Sequence, residues 1–209
     1  MLDVGGPVLI TPFERLPAIE ERLGVPRGTL DWTGPFDPTR DPLWQAMQAD
    51  EITERDYWNR RCAEILAYGE DLSDLHSVMK LIYSGVEAEL VRPQWRPLIR
   101  DAAAAGIRVV ALTNDLELFH GDSWVDMMPI LTEIDAVVDA SWRDFRKPDA
   151  AAYHAALDAA EVDAEEALMV DDQPGNVAGA RALGMNTVLF DVTGIDASFA
   201  EIRAMLDLD

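Results

Sequence analysis

Three parts of this chain, far apart in sequence, end an apolar run with residues that bind cations or phosphate. They are Asp3-Val4-Gly5-Gly6, Leu112-Thr113-Asn114-Asp115, and a third part made of two segments, Lys147-Pro148-Asp149 and then Val170-Asp171-Asp172. Polar residues that follow buried strands are typical of ligand sites in α/β sheets. Together they supply carboxylates, a hydroxyl, an amide and an ammonium group, which can hold a divalent metal and a phosphoryl group. The sequence therefore predicts a phosphate-handling site.

The adjacent carboxylates Asp171 and Asp172 indicate a metal ion. Two such groups after an apolar strand repel each other unless a cation lies between them. Mg²⁺ is the expected cation because it prefers oxygen ligands and keeps water ligands for phosphate. In the competing interpretation, Asp172 only caps the helix that begins near Pro174.

Asp3 is the candidate nucleophile. A carboxylate beside Gly5 and Gly6, where the backbone can approach a phosphate closely, can attack phosphorus and also bind metal. The alternative is an aspartate that forms a turn before two glycines. Only two residues precede Asp3, whereas a central strand needs about five. Either this strand is short, or it begins upstream of Met1, or Pro7–Thr11 is the first strand and Asp3 is incidental.

Three residues are candidates to donate hydrogen bonds to the phosphate: Thr113, Asn114 and Lys147. The hydroxyl and the amide follow a buried strand and can donate to a phosphoryl oxygen without adding charge. Each is weak evidence alone, since Thr-Asn-Asp is also ordinary loop sequence. Lys147 precedes Pro148 and Asp149, which resemble a helix start. A solvated lysine and a lysine in the site are both compatible with that position.

The order of the elements predicts an α/β fold. Strands are predicted at Ile107–Leu112, Ala136–Val138, Ala167–Val170 and Thr187–Phe190. Helices alternate with them at Pro93–Ala105, Ser123–Glu133, Asp149–Ala160, Pro174–Leu183 and Ala197–Leu206. Such alternation indicates parallel βαβ units with right-handed crossovers. Earlier in the chain, a helix over 13–24, a proline-rich loop over 25–42, and helices at Leu43–Ala49, Thr53–Tyr68 and Ser73–Tyr83 form an all-helical insertion.

These motifs, in this order, resemble the haloacid dehalogenase superfamily, in the branch whose helical cap follows the first strand. The resemblance covers nearly the whole chain and implies a Rossmannoid parallel-sheet core at 1–12 and 91–209 with a cap at 13–90. It implies a hydrolase with the chemistry of a phosphatase, in which Asp3 is the nucleophile and Lys147 neutralises charge. Mg²⁺ is then expected at Asp3, the Gly5 carbonyl, Asp171 and Asp172. The substrate is expected to contact Gly5, Gly6, Thr113, Asn114 and Lys147.

The chain departs from the family pattern at Gly5, where family phosphatases usually carry a second aspartate that protonates the leaving group. General acid–base help is typically worth about 10²–10⁴ in rate. We expect hydrolysis of small phosphomonoesters with good leaving groups, through an aspartyl-phosphate. Alternatively another residue replaces the acid, with His120 and then His76 as candidates. A third possibility is a protein that binds metal and phosphorylated ligand without turnover. A haloacid dehalogenase is disfavoured because those enzymes dispense with the metal.

Composition limits the partners. The net charge of −22 disfavours nucleic acid, and no apolar stretch approaches the ~20 residues of a membrane span. Cys62 is the only cysteine, so no disulfide forms within the chain and a reducing, cytoplasmic compartment is expected. We expect a small phosphorylated metabolite as the partner and a monomer or homodimer as the assembly.

Overall fold

The computed structural model describes residues 1–69, 71–121, 124 and 128–208. The chain forms two compact units. One consists of Met1–Ile10 with Val86–Asp209, and the other of Thr11–Gly85. The sequence placed the insertion at 13–90. We call the first the α/β unit and the second the helical unit, and we describe each separately.

The α/β unit contains a parallel sheet. Its strands are β1 (Val110–Thr113), β2 (Ala136–Asp139), β3 (Leu168–Asp171) and β4 (Asn186–Leu189). β1 pairs with β2 from Val110–Ala136 to Thr113–Asp139, and β3 pairs with β4 from Leu168–Asn186 to Asp171–Leu189. Leu2 bridges both Ala111 and Val170 in parallel. The order across the sheet is therefore β2, β1, the Leu2 segment, β3 and β4.

The Leu2 bridges settle where the first strand lies. Leu2 N donates to Val110 O at 2.9 Å, and Asp3 N donates to Val170 O at 2.9 Å. Asp3 therefore lies at the end of the segment that occupies the central strand position of the sheet, as predicted. The alternative, in which residues 7–11 form the first strand, is wrong, because Leu9 pairs with Gly5 and Val91 and not with the strands of the sheet.

β1 and β3 are buried along their whole length, as expected for parallel strands covered on both faces. The strand predicted at Ile107–Leu112 begins later, at Val110. The reason is that Ile107 N donates to Ala102 O at 2.8 Å, which extends the end of the preceding helix. Tyr153 is fully buried in a core cluster with Val110, Leu112 and Met169.

The helices of the α/β unit mostly follow the predicted alternation. They span Glu87–Leu90, Trp95–Ala104, Leu116–His120, Pro129–Thr132, Ala150–Ala160, Pro174–Ala182 and Ile195–Met205. The short helices at Glu87–Leu90 and Leu116–His120 were not predicted. The helix predicted at Ser123–Glu133 falls partly outside the described residues, and its described end is the single turn Pro129–Thr132.

The helical unit contains helices Pro12–Leu23, Pro42–Gln48, Glu54–Leu66 and Leu75–Ile82, with short 3₁₀ turns at Gly34–Phe36 and Pro38–Arg40. Thr11 begins the first helix with a capping box, because its side chain accepts from Glu14 N and Glu14 accepts from Thr11 N. Gly24 ends it with φ 68°. No helix in the described part of the chain is long and apolar enough to cross a membrane.

Aromatic rings fill the interior of the helical unit. Phe13 packs edge-to-face on Trp44 at 5.4 Å between centroids, and Trp44 and Trp58 both contact Tyr57. Arg61 forms a buried ion pair with Asp41 in the same interior. These side chains have packing roles within their own unit.

Candidate active site

Lys147 lies between two carboxylates. Its Nζ donates to Asp3 Oδ1 and to Asp171 Oδ2, each at 2.7 Å. The lysine side chain is only 1% exposed, so this is a buried cation with two anionic partners rather than a surface ion pair. The prediction that the N-terminal aspartate, the lysine and the paired aspartates converge agrees with this geometry.

Asn114 holds the backbone of Lys147. Its Oδ1 accepts from Lys147 N at 2.8 Å, and its Nδ2 donates to Lys147 O at 3.1 Å. One donated and one accepted hydrogen bond of the same side-chain amide fix the segment from which the lysine side chain extends. The sequence assigned Asn114 to the phosphoryl group, which stays a prediction, and these contacts add a second role in which the amide positions the lysine.

Asp171 is fully buried and hydrogen-bonded on both oxygens. Oδ1 accepts from Gln173 N at 2.9 Å and Asn176 Nδ2 at 3.0 Å. Oδ2 accepts from Lys147 at 2.7 Å and Asn176 Nδ2 at 3.1 Å. These four contacts come from three donors, because Asn176 Nδ2 is shared by both oxygens, and they use most of the roughly four lone-pair positions of the Asp171 carboxylate.

Gly6 lies directly against Asp172. A Cβ built on Gly6 would be 2.6 Å from Asp172 Oδ2, and the residue has φ +88°, a conformation that L side chains rarely adopt. Only glycine fits here. At Gly5 the situation differs, because a Cβ would meet only Asp3 Oδ2, at the ordinary contact distance of 3.8 Å.

The three carboxylates lie close enough together to share one metal ion. Asp3, Asp171 and Asp172 each offer an oxygen within 4.8 Å of the others. All the donors are oxygen atoms, the ligand type that Mg²⁺ and Ca²⁺ prefer. Because the hydrogen bonds to Asp171 use its lone pairs, Asp3 and Asp172 are the carboxylates better suited to direct coordination.

Burial and charge shift the ionisation of this group. Burial raises the pKa of Asp3 to about 6, with Lys147 opposing the shift and Asp171 adding to it. For Lys147, burial alone would lower the pKa, but the carboxylates of Asp171 and Asp3 outweigh it and raise the pKa. The lysine is therefore charged throughout the physiological range.

Three other residues that were predicted from the sequence are Thr113, His120 and His76. Thr113 is buried at the end of β1, where its backbone carbonyl accepts from Ala140 N at 2.9 Å. His120 is buried and stacks on Trp124 at 4.0 Å between centroids, a packing contact. His76 is exposed on a helix of the helical unit.

Sequence reasoning gave no role to Asn176 and Tyr153. Tyr153 Oη donates to Asn176 O at 2.6 Å, while Asn176 Nδ2 donates to Asp171. Asn176 has a readable signal, because it lies in the first turn of the helix that follows the paired aspartates. Tyr153 has none, since an aromatic residue on an alanine-rich helix is typical of any core position.

A family model described as haloacid dehalogenase-like hydrolase matches residues 30–184. Among curated relatives, the mouse (Mus musculus) protein "Acyl-CoA dehydrogenase family member 10" is 24% identical over 99% of this chain but only 19% of its own length. "Phosphatase MT3486" of Mycobacterium tuberculosis (strain CDC 1551 / Oshkosh) is 32% identical over 49% of this chain and 47% of its own length. The chain thus spans at most about half of these relatives.

A solved structure shows the same fold. The HAD phosphatase from Thermococcus onnurineus superposes with a TM-score of 0.60 over 98% of this chain and 95% of its own. The sequence identity is 20%, so this similarity establishes the fold alone.

Proposed function

Because the chain belongs to the haloacid dehalogenase-like hydrolase family, we propose that it is a Mg²⁺-dependent phosphohydrolase. Its substrate would be a small phosphomonoester, and the reaction would pass through an aspartyl-phosphate on Asp3. The observation that carries the proposal is the contact of Asp3 with the buried ammonium of Lys147, with Asp172 close by. Burying charged groups costs desolvation free energy, and such groups are expected where an anionic group must be bound and activated.

The residues fit a divalent cation. Asp3 and Asp172 would hold Mg²⁺ with the Gly5 carbonyl, while Asp171 is occupied by its hydrogen bonds and orients Lys147. When bound, Mg²⁺ would supply positive charge to the phosphoryl oxygens. The chain has a net charge of −22, so an anionic substrate needs such local positive charge against the overall field.

Each side chain then has its own role in the reaction. Asp3 attacks phosphorus with one carboxylate oxygen, and the bond from phosphorus to the ester oxygen breaks with its electron pair leaving on that oxygen. Lys147 stabilises the charge on the phosphoryl oxygens through its ammonium. Thr113 orients the phosphoryl group. Water then hydrolyses the aspartyl-phosphate, which releases phosphate and restores the Asp3 carboxylate.

Gly5 limits the substrates. The position two residues after the nucleophile carries no acid, so the departing alkoxide must take its proton from solvent. Esters whose leaving group is stable as an anion, such as aryl or acyl phosphates and sugar 1-phosphates, need this proton least. We therefore propose a preference for good leaving groups.

The test is hydrolysis of p-nitrophenyl phosphate with Mg²⁺ and with excess EDTA. We expect turnover that requires the metal and that disappears in Asp3→Asn. Asp158→Asn, at an exposed carboxylate on a helix of the same unit, is the matched control and should retain full activity. No turnover on any activated ester despite Mg²⁺ binding would indicate a non-hydrolytic binding protein. Metal-independent halide release from a 2-haloacid would instead establish a dehalogenase.

A further inference from the structure

The loop after the nucleophile is held by residues from the segment that leads into helix Trp95–Ala104. Arg92 Nε donates to Gly6 O at 2.8 Å, and Trp95 Nε1 donates to Pro7 O at 2.6 Å. Arg92 N donates to Val8 O at 2.9 Å. Three successive carbonyls of the loop are therefore fixed by two residues about 85 positions away in the chain.

Arg92 is suited to fix a backbone group. It is 4% exposed, and its guanidinium lies over the ring of Phe190 at 5.7 Å from the centroid. A hydrogen bond from a charged donor is stronger than one between neutral groups, and the planar guanidinium donates in a fixed direction. The Gly6 carbonyl is thus bound by a rigid partner.

Gly6 connects this anchor to the candidate metal site. Its carbonyl is bound to Arg92, and its Cα lies against the carboxylate of Asp172, with no room for a Cβ. A shift of the Gly6 peptide would therefore move against Asp172 or away from it. The same shift would move the adjoining Gly5 peptide, whose carbonyl is the proposed third protein ligand.

We propose that Arg92 is a positioning residue, which sets the Gly5–Gly6 backbone beside Asp172 and so tunes cation binding at Asp3 and Asp172. The proposal rests on the proposed function for the identity of the cation. Arg92 acts through Gly6 and takes no part in the bond-breaking step. Trp95 supports the same loop one residue further on, through Pro7.

The variants are Arg92→Met, Arg92→Lys and Trp95→Phe. Arg96→Met is the matched control, because Arg96 lies one turn further along and pairs with Glu87 and Glu133 at the surface. Mg²⁺ affinity is measured by calorimetry. We expect the dissociation constant to rise about tenfold or more in Arg92→Met, to recover partly in Arg92→Lys, and to stay unchanged in Arg96→Met.

A spectroscopic readout reports the loop without any turnover. The chain contains a single Gly-Gly pair, so glycine labelled with ¹³C at the carbonyl and ¹⁵N gives one carbonyl-coupled amide, that of Gly6. This amide should shift in metal-free Arg92→Met and Trp95→Phe but not in Arg96→Met. If the wild type hydrolyses no ester, the proposed function fails while the Gly6 signal and the metal affinity still decide the role of Arg92.

The proposal is overturned if folded Arg92→Met binds Mg²⁺ like the wild type and leaves the Gly6 amide in place. If Arg92→Met does not fold, Arg92→Lys and Trp95→Phe decide in the same way. A fall in melting temperature with unchanged metal affinity and an unchanged Gly6 amide also overturns it, because that result is a purely structural role.

Discussion

Restoring a carboxylate at position 5 should extend the range of substrates. Gly5 is exposed, its φ is not positive, and a Cβ there would meet only Asp3 Oδ2, at 3.8 Å. Gly5→Asp is therefore compatible with the backbone as it stands. The new side chain would extend from the strand end that carries Asp3, where a general acid for the leaving group is missing.

The expected change in rate for Gly5→Asp follows from two opposing effects. A new carboxylate about 4–5 Å from that of Asp3 costs about 3–4 kcal/mol at an effective dielectric of about 20. This repulsion lowers the stability of the metal-free protein and raises the pKa of the pair, which favours the protonated acid that catalysis needs. A positioned general acid is worth about 10²–10⁴ in rate, and we expect the gain near the lower end, about 10².

The assay compares kcat/KM for an alkyl phosphate and for p-nitrophenyl phosphate at saturating Mg²⁺. Gly5→Asp should raise the alkyl value about 10²-fold and change the aryl value less than about tenfold, because the aryl leaving group needs little protonation. Gly5→Asn controls for size and polarity and should show no gain. Gly6→Ala should lose metal binding, since its Cβ would be 2.6 Å from Asp172 Oδ2.

One result would refute this reasoning about position 5. If Gly5→Asp folds and binds Mg²⁺ but hydrolyses alkyl phosphates no faster than Gly5→Asn, the missing acid is not what limits these substrates. A residue elsewhere would then already supply the proton.

Three further predictions test the burial of charge. Lys147→Met should abolish p-nitrophenyl phosphate hydrolysis and destabilise the metal-free protein in urea by about 3–5 kcal/mol, since it leaves Asp171 buried without its cation; equal stability to wild type would show that the ion pair is not buried in solution. The raised pKa of Asp3, about 6, means that its folded form binds protons more tightly than its unfolded form, so its contribution to stability is present at low pH and is lost as pH rises through about 6. In EDTA, wild type should therefore lose stability relative to Asp3→Asn between about pH 4 and pH 6.5 in urea titrations, because only there does the folded form hold more protons than the unfolded form, and a constant difference would contradict the shift. Burial raises the pKa of the Cys62 thiol to about 12, so Ellman's reagent should label it at pH 8 only after unfolding, and rapid native labelling would contradict that burial.

The convergence of the charged groups could be predicted from sequence because it follows from topology. Carboxyl ends of parallel strands meet at one edge of a sheet, so Asp3, Thr113 and Asp171 had to lie near each other once their strands were assigned. The exact start of β1 could not be predicted. It depends on whether Ile107 bonds to the preceding helix or to the sheet, and both are compatible with an apolar β-branched residue.

The hydrogen-bond partners inside the site were beyond sequence reasoning for a different reason. Residue type shows what a side chain can donate or accept, but not which of several partners it takes. Asn114 could bind phosphate or backbone, and in the structure it binds the Lys147 backbone on both sides. Arg92 belongs to none of the sequence motifs, and only the structure reveals the hydrogen bond from its guanidinium to the Gly6 carbonyl.

The adjacent aspartates show how this limit bears on chemistry. Asp171 is the last residue of β3 and is fully buried, whereas Asp172 follows the strand and lies against Gly6. Successive side chains of an extended chain point in opposite directions, so two neighbouring carboxylates cannot have the same surroundings. One is occupied by an ammonium and two amides and the other lies beside a glycine turn, which divides the pair into an orienting acid and a candidate ligand. A repeated residue type in a motif therefore does not imply a repeated role.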